Sequence, residues 1–307
     1  MIYKKSNIKM IIIHSPGHMG TRWISENLNS LGKIISIHGD QLVKKFDKRY
    51  LNYESLIEIG TIFKKENKLI FIHAPIFLSE KEYYKFKDKV EFVFLTRNPA
   101  KRTNTIITHF LMYYFFNNKA GFFAQKQTSF FKTKINLNEI FDVLKDDIDR
   151  VGQLYLKKKY LYYFFYLMFS IKSSIINTFF RNKIDTLDKS FILKNKTFLS
   201  FIITNLFLHG VQSSFQNDKQ IINLKAKFFT FEKITDSKKE FLRLLKIIDS
   251  DYEEKDINDD TFFQKKGSLH KSNTGNEFWP DSFKCIFNKH KRLDSKLRDF
   301  YSKQEYF

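Results

Sequence analysis

Cysteine occurs once in this chain, at Cys285. A single thiol excludes an intramolecular disulfide and a cysteine-built zinc site, and it suits a reducing, cytoplasmic setting. Proline occurs four times and glycine ten times, and neither gathers into a linker, so residues 1–307 read as one domain. The early apolar run, 10–13, is too short for the core of a secretory signal. Histidines and carboxylates do not fall in ligand register, so no metal is expected. Acidic residues are scarce, 33 against 53 Lys and Arg, which leaves a formal charge of +20. That charge suits an anionic partner: nucleic acid, a phosphorylated nucleotide, an acidic glycan or an anionic membrane surface. Lysines that merely solvate the surface are the plain alternative.

Aromatic side chains are abundant instead, with 36 Phe and 15 Tyr, enough to build a sizeable core. Residues 160–180 approach membrane-spanning length and follow Lys157, Lys158 and Lys159. Lys172, Ser173, Ser174 and Asn177 interrupt the segment, so it reads as a buried or groove-lining helix. A membrane-surface contact through 157–180 is the second reading, and a true span the third.

Hydrophobic patterning predicts strands over 8–14, 33–38, 69–73 and 90–96. Helices are expected between them over 20–30, 53–66 and 79–87, the last capped by Ser79. This alternation predicts an α/β fold of three layers with a central, mainly parallel sheet and crossover helices. A helix is expected from Lys101 to Phe116. Residues 117–220 form a helical, aromatic-rich insertion, followed by a last strand over 226–231, a helix over 238–248 and an acidic loop over 249–260.

Two stretches carry chemistry. The first, Met10 to Asn27 (MIIIHSPGHMGTRWISEN), reads as strand, glycine turn and helix start, an arrangement in which backbone N–H groups and the helix dipole cradle an oxyanion. It is not a Walker A loop, because Gly17 is followed by His18, Met19, Gly20, Thr21 and Arg22, with the wrong spacing and no lysine. A turn with no ligand is the bland alternative. The second is Phe94-Leu95-Thr96-Arg97-Asn98-Pro99, which puts an arginine at the carboxyl end of a buried strand, where ligands of open parallel sheets sit. Its planar fork suits bidentate phosphate binding. Thr105 follows eight residues later.

Strand, Pro-x-x-x-Gly-Thr-x-Trp and helix, then strand-Arg-Asn-Pro with a hydroxyl residue eight later, resembles the sulfotransferase family, which uses 3′-phosphoadenosine 5′-phosphosulfate (PAPS). The resemblance implies a P-loop NTPase-like fold. It makes Gly17, His18, Met19, Gly20, Thr21, Arg22 and Trp23 the phosphosulfate loop, and gives Arg97 and Thr105 to the 3′-phosphate. Phe229-Thr230-Phe231-Glu232-Lys233-Ile234 is similar to the family's late strand and helix start. The basic glycine loop over the 3′-phosphate matches either Lys265-Lys266-Gly267 or the stretch holding Lys271, Ser272 and Gly275. The family carries Lys or Arg two residues before the loop glycine; His18 stands there, and Arg22 or a protonated His18 would substitute. The resemblance does not reach 117–220.

Sulfuryl transfer needs positioning, charge stabilisation and a base for the acceptor's proton. His73, in a His-Ala-Pro at a strand end, is one candidate, and Asp40 is its rival. His14, His109, His209 and His290 lack a partner pattern and read as structural. The implied acceptor carries a hydroxyl or amine: a glycan by charge, with lipid-linked and small alcohols open. Nucleic acid is not expected as partner, since the aromatics do not interleave with arginine and no recognised motif appears. A nucleotide kinase lacks its Walker lysine and an evident magnesium carboxylate.

Overall fold

The computed structural model describes residues 10–17, 19–32, 34–39, 41–42, 52–62, 68–72, 78–116, 137–180, 189–248, 251–257, 279–293 and 299. The chain divides into two compact units, Met1–Arg97 with Gln216–Lys271, and Asn98–Phe215 with Ser272–Phe307.

In the first unit, short runs of β-branched and aromatic residues form a parallel sheet. Its strands are β1 (Met10–His14), β2 (Ile34–His38), β3 (Lys68–Ile72), β4 (Glu91–Thr96) and β5 (Lys227–Thr230), ordered β2-β3-β1-β4-β5. Every pairing is parallel, with Ile12 opposite Phe71 on one side and Phe92 on the other. The strand period of two sorts the side chains onto two faces. Ile11, Ile13, Val93, Leu95 and Phe229 pack under α1 (Thr21–Ser30), α9 (Phe231–Asp236) and α10 (Lys238–Ile248). Met10, Ile12, Phe92 and Phe94 pack under α2 (Tyr53–Ile62), α3 (Glu80–Phe86) and the last turns of α8 (Lys196–Leu224) at Ile221 and Leu224. Helices thus cover both faces, as a buried parallel sheet requires. Each fully buried Ile or Phe contributes about 2 kcal/mol.

Local signals set the element ends. Ser79 accepts the Glu82 N–H while Glu82 accepts the Ser79 N–H, a complete capping box for α3. The last strand is shorter than the pattern predicts. Lys225 takes the left-handed conformation, φ 50°, and the N–H groups of Lys225 and Ala226 return to Ile222 and Ile221. This Schellman closure of α8 removes Ala226 from the strand, and Phe231 opens α9 at the other end.

The second unit is helical: α4 (Pro99–Phe116), α5 (Leu137–Lys157), α6 (Lys159–Phe180), α7 (Lys189–Lys194), α8 as far as Phe215, and α11 (Asp281–Arg292). Asn98 caps α4 by accepting from the Ala100 and Lys101 N–H groups at 3.0 and 3.1 Å, with Pro99 at the first helical position. Phe207 stacks on Phe283 at 3.9 Å, and Trp279 stands edge-on to Phe207 at 4.9 Å while donating to Asn104 Oδ1. Arg102 is fully buried and donates to Gly210 O, Ser213 Oγ and Ser214 Oγ at 2.7–2.9 Å. The α4–α8 approach is close: a Cβ on Gly210 would meet Thr103 Oγ1 at 2.8 Å. One described helix, α8, is long and apolar enough to cross a membrane, and 72% of its apolar window is buried in the structure.

Lys225→Gly removes the left-handed strain at the end of α8 and should raise stability by about 1 kcal/mol in urea unfolding. A pH effect arises in the second unit, where burial, then Lys159 and Lys289, hold the His290 pKa below 6.5. Above 6.5 the imidazole is neutral folded or unfolded and stability is full. As pH falls through that value the unfolded chain takes up the proton first, so stability drops until the lower folded pKa is passed. The melting temperature should therefore fall between about pH 7 and pH 5, a window above carboxylate titration, and less steeply in His290→Gln.

Candidate functional site

In the first unit, β1 and β4 are neighbours whose chains leave in opposite directions, β1 towards β2 and β4 towards β5. Such a switch point opens a crevice at the carboxyl ends of the two strands. The loop after β1 and the end of β4 meet there through one ring, Phe231.

After β1 the chain turns at Gly17, φ 82°, whose N–H is accepted by Ser15 Oγ at 3.3 Å. Gly20 then starts α1 at φ 70°, its carbonyl accepting from Ile24 N. No side chain caps this helix start and its first turn carries no acid. Ordinarily Ser, Thr, Asp or Asn would hold that position. The reason for glycine is steric: a Cβ on Gly20 would stand 1.9 Å from Phe231 Cε2. Thr21 is buried, and its Oγ1 shares a 2.9 Å hydrogen bond with Nε2 of His38, at the end of β2. The imidazole tautomer sets the direction of that bond. Arg22 is half-buried. Met19 and Trp23 turn into the apolar core, Trp23 standing edge-on to Phe231 and Phe241 at 6.4 and 5.7 Å.

From β4, Thr96 Oγ1 donates to Thr230 Oγ1 at 3.4 Å, tying the ends of β4 and β5. Arg97 follows with its guanidinium 5.2 Å from the centre of the Phe231 ring, within cation–π range. Its Nε stands 3.7 Å from Glu232 Oε1, an ion pair longer than a hydrogen bond. Burial pushes the Arg97 pKa down and Glu232 pulls it back up. A cation is therefore held in a desolvated seat at a strand end.

Of the expected residues, the structure sets Gly20, Trp23 and Arg97 around Phe231, with Glu232 beside Arg97, and pairs Thr21 separately with His38. A histidine closing a predicted strand was the signal for His38, and Glu232 lies beside the aromatic pair of the late strand motif. Thr105 belongs to the second unit, on α4, where its buried hydroxyl donates to Lys101 O at 2.9 Å. His18, Asp40, His73, Lys271, Ser272 and Gly275 lie outside the described residues, as does the alternative glycine loop at Lys265. His14 is buried at the end of β1, edge-on to Phe94 at 5.3 Å. Among the described residues no three of His, Cys, Asp and Glu gather as metal ligands.

Gly20→Ala should cost at least about 2 kcal/mol, from left-handed strain and from the clash with Phe231. In a Phe231→Ala background the clash disappears and the strain remains. The double variant should then be more stable than the sum of the single effects by about 1 kcal/mol, a coupling that a denaturation cycle reads directly.

No protein-family model matches the chain, and neither a curated protein nor a solved structure matches it significantly.

Proposed function

We propose that this chain is a sulfotransferase, moving a sulfuryl group from PAPS to a hydroxyl- or amine-bearing acceptor, and that its sheet is of the P-loop NTPase-like kind. One observation carries the reading. Arg97 at the end of β4 and the glycine-led start of α1 pack on the same Phe231 ring at a topological switch point. The residues suit an oxyanion: a helix start without an acid in its first turn, and arginines at positions 22 and 97.

The nucleotide, when bound, supplies the sulfuryl group and the phosphate that carries it. The chain's own residues bind and orient. In this reading the start of α1 and Arg22 hold the phosphosulfate end, and Arg97 holds the 3′-phosphate. His38 acts as a positioning residue: with its Nε2 protonated it donates to Thr21 Oγ1 and leaves the Thr21 proton for an anion oxygen. Glu232 opposes the anion at Arg97 and must be outcompeted. His73 or Asp40 would take the acceptor's proton, and His18 or Arg22 would supply cationic charge at the leaving oxygen. Thr105, Lys271, Ser272 and Gly275 are assigned to the nucleotide by resemblance. The acceptor is taken as a glycan, with a lipid-linked or small alcohol as the other classes, in a cytoplasmic setting.

Isothermal titration with adenosine 3′,5′-bisphosphate tests the reading. The protein should bind it, and Arg97→Ala should weaken binding by about tenfold to hundredfold, the worth of a charged hydrogen bond. Glu232→Gln should tighten it by about fivefold, as loss of one partly exposed competing charge predicts. No heat of binding at millimolar nucleotide would overturn the proposal.

A further inference from the structure

Helix α6 turns an apolar stripe to solvent. Tyr160, Tyr163, Phe164, Leu167 and Met168 follow the spacing of one helix face, and their exposures are 72, 44, 57, 59 and 55%. The opposite face is already used inside the second unit. Tyr162 and Phe169 lie 5.7 and 4.9 Å from Phe201, and the Tyr166 hydroxyl accepts from Asn205 Nδ2 at 3.0 Å. An ordinary surface helix would place charge where the stripe runs. Single exposed apolar residues carry no message, but five on one face mark a contact surface.

Charge chooses the occupant. Lys157, Lys158 and Lys159 are exposed at the head of the helix. The Lys159 ammonium lies 5.5 and 5.9 Å from the centres of the Tyr155 and Tyr163 rings, a cation at the edge of the aromatic surface. Beside the stripe runs a groove of about 500 Å³ between α5, α6 and α8. Leu154, Phe165, Phe169 and Phe201 line it with apolar surface, while Arg150, Lys157 and Lys158 supply positive charge. The acid in its lining, Asp147, pairs with Arg150 at 3.0 Å and Lys196 at 3.5 Å. An apolar stripe with cations at one end matches an anionic bilayer surface, where the rings enter the interface and lysines meet headgroups. A second copy of a +20 chain would bring lysines against lysines.

We infer that α6 is a membrane-docking element: its stripe and head lysines lie on a bilayer containing anionic lipid, and the groove beside it seats an acyl chain. The inference stands apart from the nucleotide reading and uses residues of the second unit alone.

Flotation of the full chain with vesicles tests it, comparing phosphatidylcholine alone with phosphatidylcholine containing phosphatidylglycerol. Wild type should bind only the anionic vesicles, and high salt should release it. Replacing Lys157, Lys158 and Lys159 together by Gln should lower partitioning by about a hundredfold, at about fivefold per lysine. Phe164→Ser, Leu167→Ser and Met168→Ser combined should lower it by more than about tenfold. All six positions are exposed, and the two variants are read separately, so a folding defect in one leaves the other decisive. Equal binding to both vesicle types, or binding unchanged in either folded variant, would overturn the inference. A dimer in analytical ultracentrifugation that the apolar variant abolishes, without vesicle binding by wild type, would overturn it in favour of a second copy.

Discussion

The ring of Phe231 is the constraint on which the candidate site depends. It stands where β5 ends and α9 begins, and that end is fixed by parallel pairing of Thr96 with Thr230. From there the ring dictates two things. It leaves no room for a Cβ at position 20, so α1 begins with glycine and without a capping side chain. It also offers its π surface to Arg97, which lets a guanidinium sit largely out of water beside a carboxylate 3.7 Å away. Pairing in the sheet thus sets the ring, and the ring sets both the bare helix start and the seat of the cation. The site is a consequence of packing as much as of loop chemistry.

Much of the first unit was legible because its signals are local. The strand at 90–96, the Ser79 cap and the helix over 238–248 follow from runs, spacing and one capping residue, and the structure has β4, α3 and α10 there. That the strands pair in parallel follows from the alternation of strands and helices, whereas their order does not. The last strand was read too long because its ends are decided by neighbours: Ala226 is claimed by the closure of α8 and Phe231 by the start of α9. The Thr21–His38 bond joins residues 17 apart in sequence and depends on β2 lying across the sheet under α1, which no periodicity encodes. Met19 and Trp23 show a different limit. An apolar residue in a loop motif can serve a ligand or a core, and here both side chains pack in the core cluster. In 157–180 the aromatic run reads as a buried or groove-lining helix: Tyr162, Tyr166 and Phe169 pack within the second unit and Phe165 and Phe169 line a groove, while Tyr160, Phe164, Leu167 and Met168 are exposed.

Two arginines five residues apart show how burial separates architecture from chemistry. Burying a guanidinium is costly unless oxygen acceptors meet its donors. Arg102 has three oxygens within 2.9 Å of one nitrogen, all from a single stretch of α8. Those contacts join α4 to α8 inside the second unit, and its position on the inner face of α4 explains it fully. Arg97 is held differently. An aromatic ring lies 5.2 Å from its guanidinium and a carboxylate 3.7 Å from its Nε, and Glu232 itself stays a quarter exposed. In the proposed function an incoming oxyanion would be weighed against that 3.7 Å contact with Glu232. Arg102 is thus tied by close oxygens within its own unit, while Arg97 has an aromatic ring and the charge of Glu232 beside it.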